Sequence, residues 1–253
     1  MTQHLRIANA DFRPRRPGDL AQTEAARDIL RSLELLRHKP EPGVVMIAGA
    51  PGVGKTMALR YFVNTQGHDA FRLEIGAGEG SAFGVACALL RVFGVQGNGM
   101  SLVAARELLV RYIGAGRMVA LDDCHNLEPK GADWVRSLAD EAGFDLVLCG
   151  GLDLQYQVNR IASLRSRVHA NRPVVLKRNS RADVASLVEG SAYATDAAIT
   201  LLLAVAPIHD GGLRNVEAAV RHAGLFAGSE RPTIEHLRWA IHDLKLEPKG
   251  AEA

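Results

Sequence analysis

One eight-residue segment combines the residue types that bind phosphate groups. It reads Gly49-Ala50-Pro51-Gly52-Val53-Gly54-Lys55-Thr56 and fits the pattern GxxxxGK[ST]. Glycines let backbone N–H groups turn inward around phosphates, the lysine reaches the β and γ phosphates, and the threonine hydroxyl can bind Mg²⁺. A glycine-rich turn without function is the alternative, and the apolar run before the segment and the helical pattern after it argue against that. We predict a nucleoside triphosphate site formed by Gly49, Pro51, Gly52, Val53, Gly54, Lys55, Thr56 and Met57.

A pair of carboxylates supplies the second part of such a site. Asp122 and Asp123 directly follow the apolar run of residues 118–121. A carboxylate beside a buried strand is costly unless a cation meets it, and Mg²⁺ would do so. We predict that Asp122 holds Mg²⁺, usually through water, and that Asp123 orients or polarises the attacking water. A solvated acidic turn is the alternative.

Alternating strands and helices would position these residues. Short apolar runs predict buried strands, and the segments between them have helical length. The predicted strands are 44–48, 71–75, 118–121, 145–149 and 174–176, and the predicted helices are 23–37, 55–65, 81–93, 101–113 and 130–143. This alternation predicts an α/β fold with a mostly parallel sheet that is covered on both faces.

The pattern changes near residue 180, where only helical periodicity follows, at 181–190, 195–206, 212–227 and 233–245. We therefore predict a small all-helical domain over residues 179–246 after a nucleotide-binding core over residues 19–178. Prolines and a glycine near residues 14–18 predict an extended basic arm over residues 1–18. Residues 247–253 are expected to form a flexible tail.

Composition excludes several classes of protein. The 253 residues are 47% hydrophobic and 23% charged, values typical of globular proteins rather than disordered or fibrous ones. No apolar run approaches the roughly 20 residues that span a bilayer, and the first residues lack the apolar core of a signal peptide. We expect a cytoplasmic protein with no membrane association. The three cysteines form no CxxC pair and are expected to be small buried side chains.

Charge is unevenly distributed along the chain. The formal net charge is only +2, yet residues 151–181 hold seven Lys or Arg against Asp153 alone. Such an asymmetry can create a local surface that faces anions even in a nearly neutral protein.

These motifs, followed by a helical domain, resemble the AAA+ ATPases over about residues 20–245. Shorter strings resemble the MuB, TniB and TnsC type, which are ATP-dependent selectors of target DNA in transposition. The strings are Leu121-Asp122-Asp123-Cys124-His125-Asn126-Leu127, Leu146-Val147-Leu148-Cys149-Gly150-Gly151 and Leu164-Arg165-Ser166-Arg167. The resemblance implies a P-loop NTPase core with a small C-terminal helical lid, and ATP and Mg²⁺ as cofactors.

The same resemblance assigns roles to two arginines. Arg167 corresponds to the arginine finger that enters a neighbouring subunit's nucleotide site and makes hydrolysis depend on assembly. Arg165 and Arg172 compete for that role, and a solvated basic face is the alternative. Arg214, in Gly211-Gly212-Leu213-Arg214-Asn215, resembles the sensor arginine of the lid, and an ordinary arginine at a helix start is its alternative.

Two positions depart from the family pattern. Asp123 stands where the family normally has Glu, so its shorter side chain implies looser alignment of water and slow hydrolysis. The fourth predicted strand ends in Cys149-Gly150-Gly151 and offers no Asn, Thr or Ser at the usual place of the γ-phosphate sensor.

The function implied by the resemblance is an ATP-dependent DNA-binding ATPase without sequence specificity. It would form homo-oligomers, as a helical filament or ring, on double-stranded DNA and recruit or activate a transposase. Its hydrolysis of ATP to ADP and phosphate would be stimulated by DNA or a partner. Arg13, Arg15, Arg16, Arg91 and Arg106 are the candidate DNA contacts. The alternatives are an AAA+ loader or adaptor for a protein client, such as a replicative helicase or secretion component, and a signalling module that barely hydrolyses nucleotide.

Overall fold

The computed structural model describes residues 20–97 and 99–248, which divide into two compact units. The sheet unit comprises residues 28–49 and 55–177, and the helical unit comprises the described residues of 20–27, 50–54 and 178–248. The predicted arm over residues 1–18, with Arg13, Arg15 and Arg16, lies outside the described residues, as does most of the predicted tail.

A five-stranded sheet organises the sheet unit. The strands are β1 (Val44–Gly49), β2 (Ala70–Glu74), β3 (Met118–Asp122), β4 (Asp145–Gly150) and β5 (Val174–Leu176). All adjacent pairs are parallel, in the order β2-β3-β4-β1-β5. Every residue of β1, β3 and β4 is buried, as expected for central strands covered on both faces. The predicted fold class is confirmed.

Seven α-helices precede β5 within the part of the chain that the structure describes. They are α1 (Glu24–Arg37), α2 (Lys55–Gln66), α3 (Ala82–Val92), α4 (Leu102–Ile113), α5 (Pro129–Ala142), α6 (Leu154–Arg160) and α7 (Ala162–His169). Alternate residues of β1, β3 and β4 form one hydrophobic core with apolar side chains of α3, α4, α5, α6 and α7. The sequence analysis did not predict α6 and α7. Each short helix buries only two apolar side chains, and Ile161 between them has an extended backbone that interrupts the helical conformation.

The helical unit contains four further helices. They are α8 (Arg181–Val188), α9 (Asp196–Val205), α10 (Leu213–Ala227) and α11 (Ile234–Asp243). Their buried apolar residues form a separate core. The hydroxyls of Ser180, Thr195 and Thr233 each accept a backbone N–H at a helix start, which explains where α8, α9 and α11 begin. Within the described ranges, no helix has the length and apolar character needed to cross a membrane.

Candidate nucleotide-binding site

The predicted phosphate loop connects β1, which ends at Gly49, to α2, which begins at Lys55. Gly52 and Gly54 have φ angles of 70° and 95°, a backbone region that side chains with a Cβ rarely adopt. A Cβ at Gly54 would meet nothing within 4 Å, so backbone conformation rather than space requires that glycine. The loop therefore has the backbone that turns successive N–H groups toward a bound phosphate.

Lys55 lies at the first turn of α2, where the partial positive charge of the helix start favours anions. Its Nζ donates a hydrogen bond to the backbone oxygen of Gly49 at 2.8 Å. A Cβ on Gly49 would lie 3.2 Å from the Lys55 side chain and 3.0 Å from the backbone oxygen of Leu176 on β5. The absence of a side chain at Gly49 thus keeps room for Lys55 beside the sheet.

Asp122 ends β3 and is only 1% exposed. Burial alone would raise the pKa of its carboxyl. Hydrogen bonds from the side chains of Arg72, Cys149 and Thr56, together with the charge of Arg72, outweigh burial and hold that pKa below its usual value. Asp122 is therefore an anion, and the hydroxyl of Thr56 lies beside it, as the sequence analysis requires.

The donor set at this point fits magnesium. Mg²⁺ prefers oxygen ligands and is usually held by one or two carboxylates together with substrate phosphates and water. The Asp122 carboxylate and the Thr56 hydroxyl are oxygen donors of this kind. Within residues 20–97 and 99–248, no cluster of three or more His, Cys, Asp or Glu side chains is arranged to hold a metal ion.

Asp123 has a backbone conformation that is uncommon for its residue type. Its φ of 55° and ψ of 40° are left-handed, and its N–H donates to Oδ1 of Asp122 at 3.1 Å. Strained conformations of this kind often occur at functional sites. The turn leaves the Asp123 side chain about half exposed, 3.9 Å from Nδ1 of His125. This carboxylate is consequently accessible to water, unlike that of Asp122.

Arg72 and Cys149 are site residues that the sequence analysis missed. Arg72 lies on β2 and donates to Oδ2 of Asp122 from Nε at 3.2 Å and from Nη2 at 2.9 Å. Burial and the charge of Asp122 raise the pKa of the Cys149 thiol well above its ordinary value, so the thiol keeps its proton and donates a hydrogen bond to Asp122. Arg72 stands between Phe71 and Leu73 in the predicted strand 71–75, and a charged residue at such a position signals a nearby carboxylate.

The second glycine motif packs against the phosphate loop within the helical unit. The N–H of Leu213 donates to the backbone oxygen of Gly52 at 2.8 Å. A Cβ on Gly52 would lie 1.9 Å from the oxygen of Gly211, and one on Gly212 would lie 2.7 Å from the Gly52 backbone. Close backbone contact explains these glycines, and it places Arg214 at the start of α10 one residue after the hydrogen bond to the loop.

Arg167 lies on α7 and is 43% exposed. Its Nη1 is 2.9 Å from Oδ1 of Asp140 on α5. Arg165 donates to the backbone oxygen of Asn159 at 3.4 Å, and Arg172 pairs with Asp28 at 2.9 Å. Arg167 and Arg165 are therefore both on the exposed side of one helix, whereas Arg172 is paired with a residue of α1.

The two candidate DNA-contact residues on helices both form ion pairs. Arg91 on α3 pairs with Glu79, and Arg106 on α4 donates to Glu141 at 2.5 Å and to the Ser137 hydroxyl at 2.9 Å. The Arg91 side chain is 60% exposed and that of Arg106 only 26%. Their contact with DNA stays a prediction. The side chain of Arg106 would have to move further than that of Arg91 to reach DNA, because it is less exposed.

Comparisons with known proteins concern the fold. Residues 38–158 match the family described as AAA domain, and no curated protein matches the sequence. The Aeropyrum pernix ORC1 protein in complex with DNA is similar, with 20% identity and a TM-score of 0.66 over 90% of this chain and 66% of that one. The Aeropyrum pernix ORC2 protein, in ADPNP-ADP complexes, has 16% identity and a TM-score of 0.65 over 90% and 68%.

A third solved structure belongs to a different protein. The Thermotoga maritima RuvB Holliday junction branch migration motor has 14% identity and a TM-score of 0.58, covering 94% of this chain and 75% of that one. The present chain thus spans about two thirds of the length of the ORC proteins that it matches. The narrower resemblance to the MuB, TniB and TnsC type stays a prediction. Together with the parallel sheet and its loop, the comparisons show that this chain has the P-loop AAA+ fold, with an AAA domain matched at residues 38–158.

Proposed function

We propose that this chain binds ATP and hydrolyses it to ADP and phosphate. The observation that carries the proposal is the meeting of Thr56, from the start of α2, with the Asp122 carboxylate at the end of β3. These two oxygen donors come from separate elements and converge beside the helix start that carries Lys55. The ADPNP-ADP complexes of the similar ORC2 protein support a nucleotide as the ligand.

Each residue has a role that follows from its chemistry. N–H groups of the loop and the Lys55 ammonium bind the β and γ phosphates, and Thr56 and Asp122 are the residues that would hold Mg²⁺. When bound, Mg²⁺ neutralises charge on the phosphate oxygens. Asp123 orients a water and accepts its proton as the water oxygen attacks the γ-phosphorus, while the bond to the β–γ bridging oxygen breaks.

Two arginines complete the proposed site. Arg167 enters the nucleotide site of a neighbouring copy and neutralises charge on the transferred phosphoryl group, after it leaves Asp140. Arg214 responds to the nucleotide from the start of α10, where the Leu213 N–H already binds the loop residue Gly52. Supplying Arg167 in trans makes hydrolysis conditional on assembly.

We further propose that this chain is a nucleotide-dependent switch that assembles on duplex DNA and recruits a transposase. It rests on the resemblance of the Asp122 and Arg167 segments to transposition regulators, and on the similarity in fold to ORC1, which was solved with DNA. In a filament each subunit needs only one or two phosphate contacts, because charge accumulates by repetition. Arg91 is the better placed of the two described candidates, since its side chain is more exposed.

A competing candidate is an AAA+ loader or adaptor that acts on a protein client. The AAA+ fold and the nucleotide site are equally compatible with that role. The two candidates differ in what the assembled state requires, since only the first needs DNA.

One experiment separates them. The purified chain is mixed with random-sequence duplex DNA and ATP, ADP or a slowly hydrolysed analogue, and assemblies are examined by negative-stain microscopy. The DNA-switch proposal expects oligomers on DNA with ATP or the analogue and their loss with ADP. Oligomers that form with ATP but ignore DNA would favour the adaptor, and a chain that stays monomeric with both would leave only nucleotide binding.

A further inference from the structure

Both oxygens of the Asp122 carboxylate accept hydrogen bonds from this chain. Its Oδ2 accepts two hydrogen bonds from Arg72, at 3.2 Å and 2.9 Å, and its Oδ1 accepts the Asp123 N–H at 3.1 Å. The side chains of Cys149 and Thr56 bind the same carboxylate. Arg72 and Asp122 are both shielded from solvent, with side chains 15% and 2% exposed. The cation that neutralises Asp122 is therefore a residue of this chain.

Arg72 and Mg²⁺ compete for this carboxylate. A metal ion, or a water bound to it, needs a lone pair of Asp122, and Arg72 uses the lone pairs of Oδ2. A guanidinium and a divalent cation on one buried carboxylate also repel each other, and low solvent exposure strengthens that repulsion. The paired arginine thus opposes the charge that the site must accept.

Arg72 has a second acceptor already in reach. Its Nη2 is 3.2 Å from Oε2 of Glu74, two residues further along β2, while it also binds Asp122. Glu74 is 58% exposed and pairs in register with Asp122 across the two strands. The guanidinium can therefore turn from the buried carboxylate to the exposed one without losing a charged partner.

We propose that Arg72 is a positioning residue that holds Asp122 while the site lacks Mg²⁺ and moves to Glu74 when the magnesium nucleotide binds. The inference rests on the proposed nucleotide function. When Mg²⁺ is not bound, Arg72 keeps Asp122 charged and oriented, because an unpaired buried carboxylate is unfavourable. On binding, its departure sets the Mg²⁺ concentration that the site requires.

The test measures affinity for a fluorescent, non-hydrolysable ATP analogue across a Mg²⁺ titration, and needs no turnover. Glu74→Gln weakens the second acceptor, so Arg72 stays on Asp122 and the Mg²⁺ midpoint rises. Arg72→Met removes the competing cation, so the midpoint falls by about tenfold, as expected for one charge at a partly buried site. Arg72→Lys keeps the charge and is expected to lie near the wild-type midpoint.

Arg37→Met is the matched control. Arg37 faces another buried carboxylate, Asp145, at 3.7 Å, at the start of β4 rather than at the end of a strand. Both methionine variants are expected to unfold at lower temperature, but Arg37→Met should leave the Mg²⁺ midpoint unchanged. A stabilising role without competition would give Glu74→Gln and Arg72→Met the wild-type midpoint.

The outcomes separate the two proposals. If the wild-type chain binds no nucleotide at any Mg²⁺ concentration, the proposed function fails. If it binds with a clear Mg²⁺ dependence and neither variant shifts the midpoint, only the role of Arg72 is overturned. Should Arg72→Met not fold, Glu74→Gln decides alone, because the Glu74 side chain is exposed and Arg72 keeps Asp122 as a charged partner in that variant.

Discussion

Two buried aspartates occupy opposite ends of the same sheet, and each faces an arginine. Asp122 ends β3 and receives two hydrogen bonds from Arg72, the shorter at 2.9 Å. Asp145 begins β4, lies 3.7 Å from Arg37 and accepts the Gly43 N–H at 3.0 Å. Burial acts on both, but side-chain hydrogen bonds and charge outweigh it only at Asp122, whose pKa is lowered. At Asp145 burial prevails over the bonds from Gly43 and Arg37, and the pKa is raised.

The difference fits the proposed role of Asp122 as a ligand of Mg²⁺ and a structural role for Asp145. A parallel sheet gathers the loops that follow its strands at one edge, and there ligands bind in open α/β folds. Asp122 is kept charged at that edge, which suits a carboxylate that meets a cation. Asp145 ties β4 to the residue before β1 at the other edge, where the bonds from Gly43 and Arg37 favour the ionised form less than burial opposes it. The proposed site thus uses an aspartate as a ligand at one end of the sheet, whereas an aspartate at the other end supports the fold.

Removing a lysine near each end of the sheet should give the largest difference in nucleotide binding between two variants. Lys55→Ala is expected to weaken binding of an ATP analogue by at least about 100-fold and to abolish nucleotide-dependent assembly, because charge-assisted contacts to phosphate are lost. Lys39→Ala is the control, since Lys39 donates to Ala170 and Asn171. Fluorescence titration measures both. Normal binding by Lys55→Ala would refute the phosphate assignment.

Substitution of Arg167 tests whether the proposed nucleotide site also needs a second copy of the chain. Arg167→Ala is expected to lower ATP turnover by about 1,000-fold, the effect typical of arginine fingers. Mixing it with Lys55→Ala, which retains Arg167, should restore part of the phosphate release. Arg165→Ala is the control on the same helix, and its ATP turnover should not depend on added Lys55→Ala. Without complementation in the mixture, a finger acting between subunits is ruled out.

Neutralising each aspartate compares the two ends directly. Asp122→Asn is expected to lower steady-state phosphate release by about 100-fold, because an amide holds a metal ion poorly. Asp145→Asn should stay within about twofold of wild type, since its oxygen can still accept the Gly43 N–H. Circular dichroism would check that both variants fold. Equal losses of activity would mean that both carboxylates only support the fold.

The smallest expected effect is a pH dependence of stability at Asp145. Its raised pKa means that the folded state binds more protons than the unfolded state between about pH 3.9 and the folded value. The resulting stabilisation is complete below that window and is lost as pH rises through the folded pKa. Asp145→Asn lacks this proton, so its free energy of unfolding should rise relative to wild type from pH 4 to 7.

Urea denaturation at several pH values measures that difference. A constant difference between the two proteins across this range would show that Asp145 does not titrate within the window.

Much of the site was predictable because its residues are neighbours in the chain. The phosphate loop depends on positive φ angles at Gly52 and Gly54 and on a helix that starts at Lys55, all within eight residues. The buried strands were predictable as short apolar runs. Helices α6 and α7 were not, because each is short and the break at Ile161 interrupts their apolar spacing.

Contacts across the sheet could not be predicted from residue spacing. Arg72 lies 50 residues before Asp122, and Cys149 lies on β4 on the other side of β3. Gly211 and Gly212 were noted in a motif, but the reason for Gly212 is the backbone of Gly52, and the reason for Gly211 is the side chain of Asn215. Only the strand order and the close approach of backbones reveal these partners.

The amino-acid sequence by itself determined the loop, the five strands, the helices other than α6 and α7, and the two acidic residues after β3, because local backbone preference and hydrophobic periodicity act over a few residues. The tertiary structure alone decided which cation neutralises Asp122 and why Asp145 differs from it. That outcome depends on which side chains the parallel strands bring to each end of the sheet, where burial and pairing set the charge of a carboxylate.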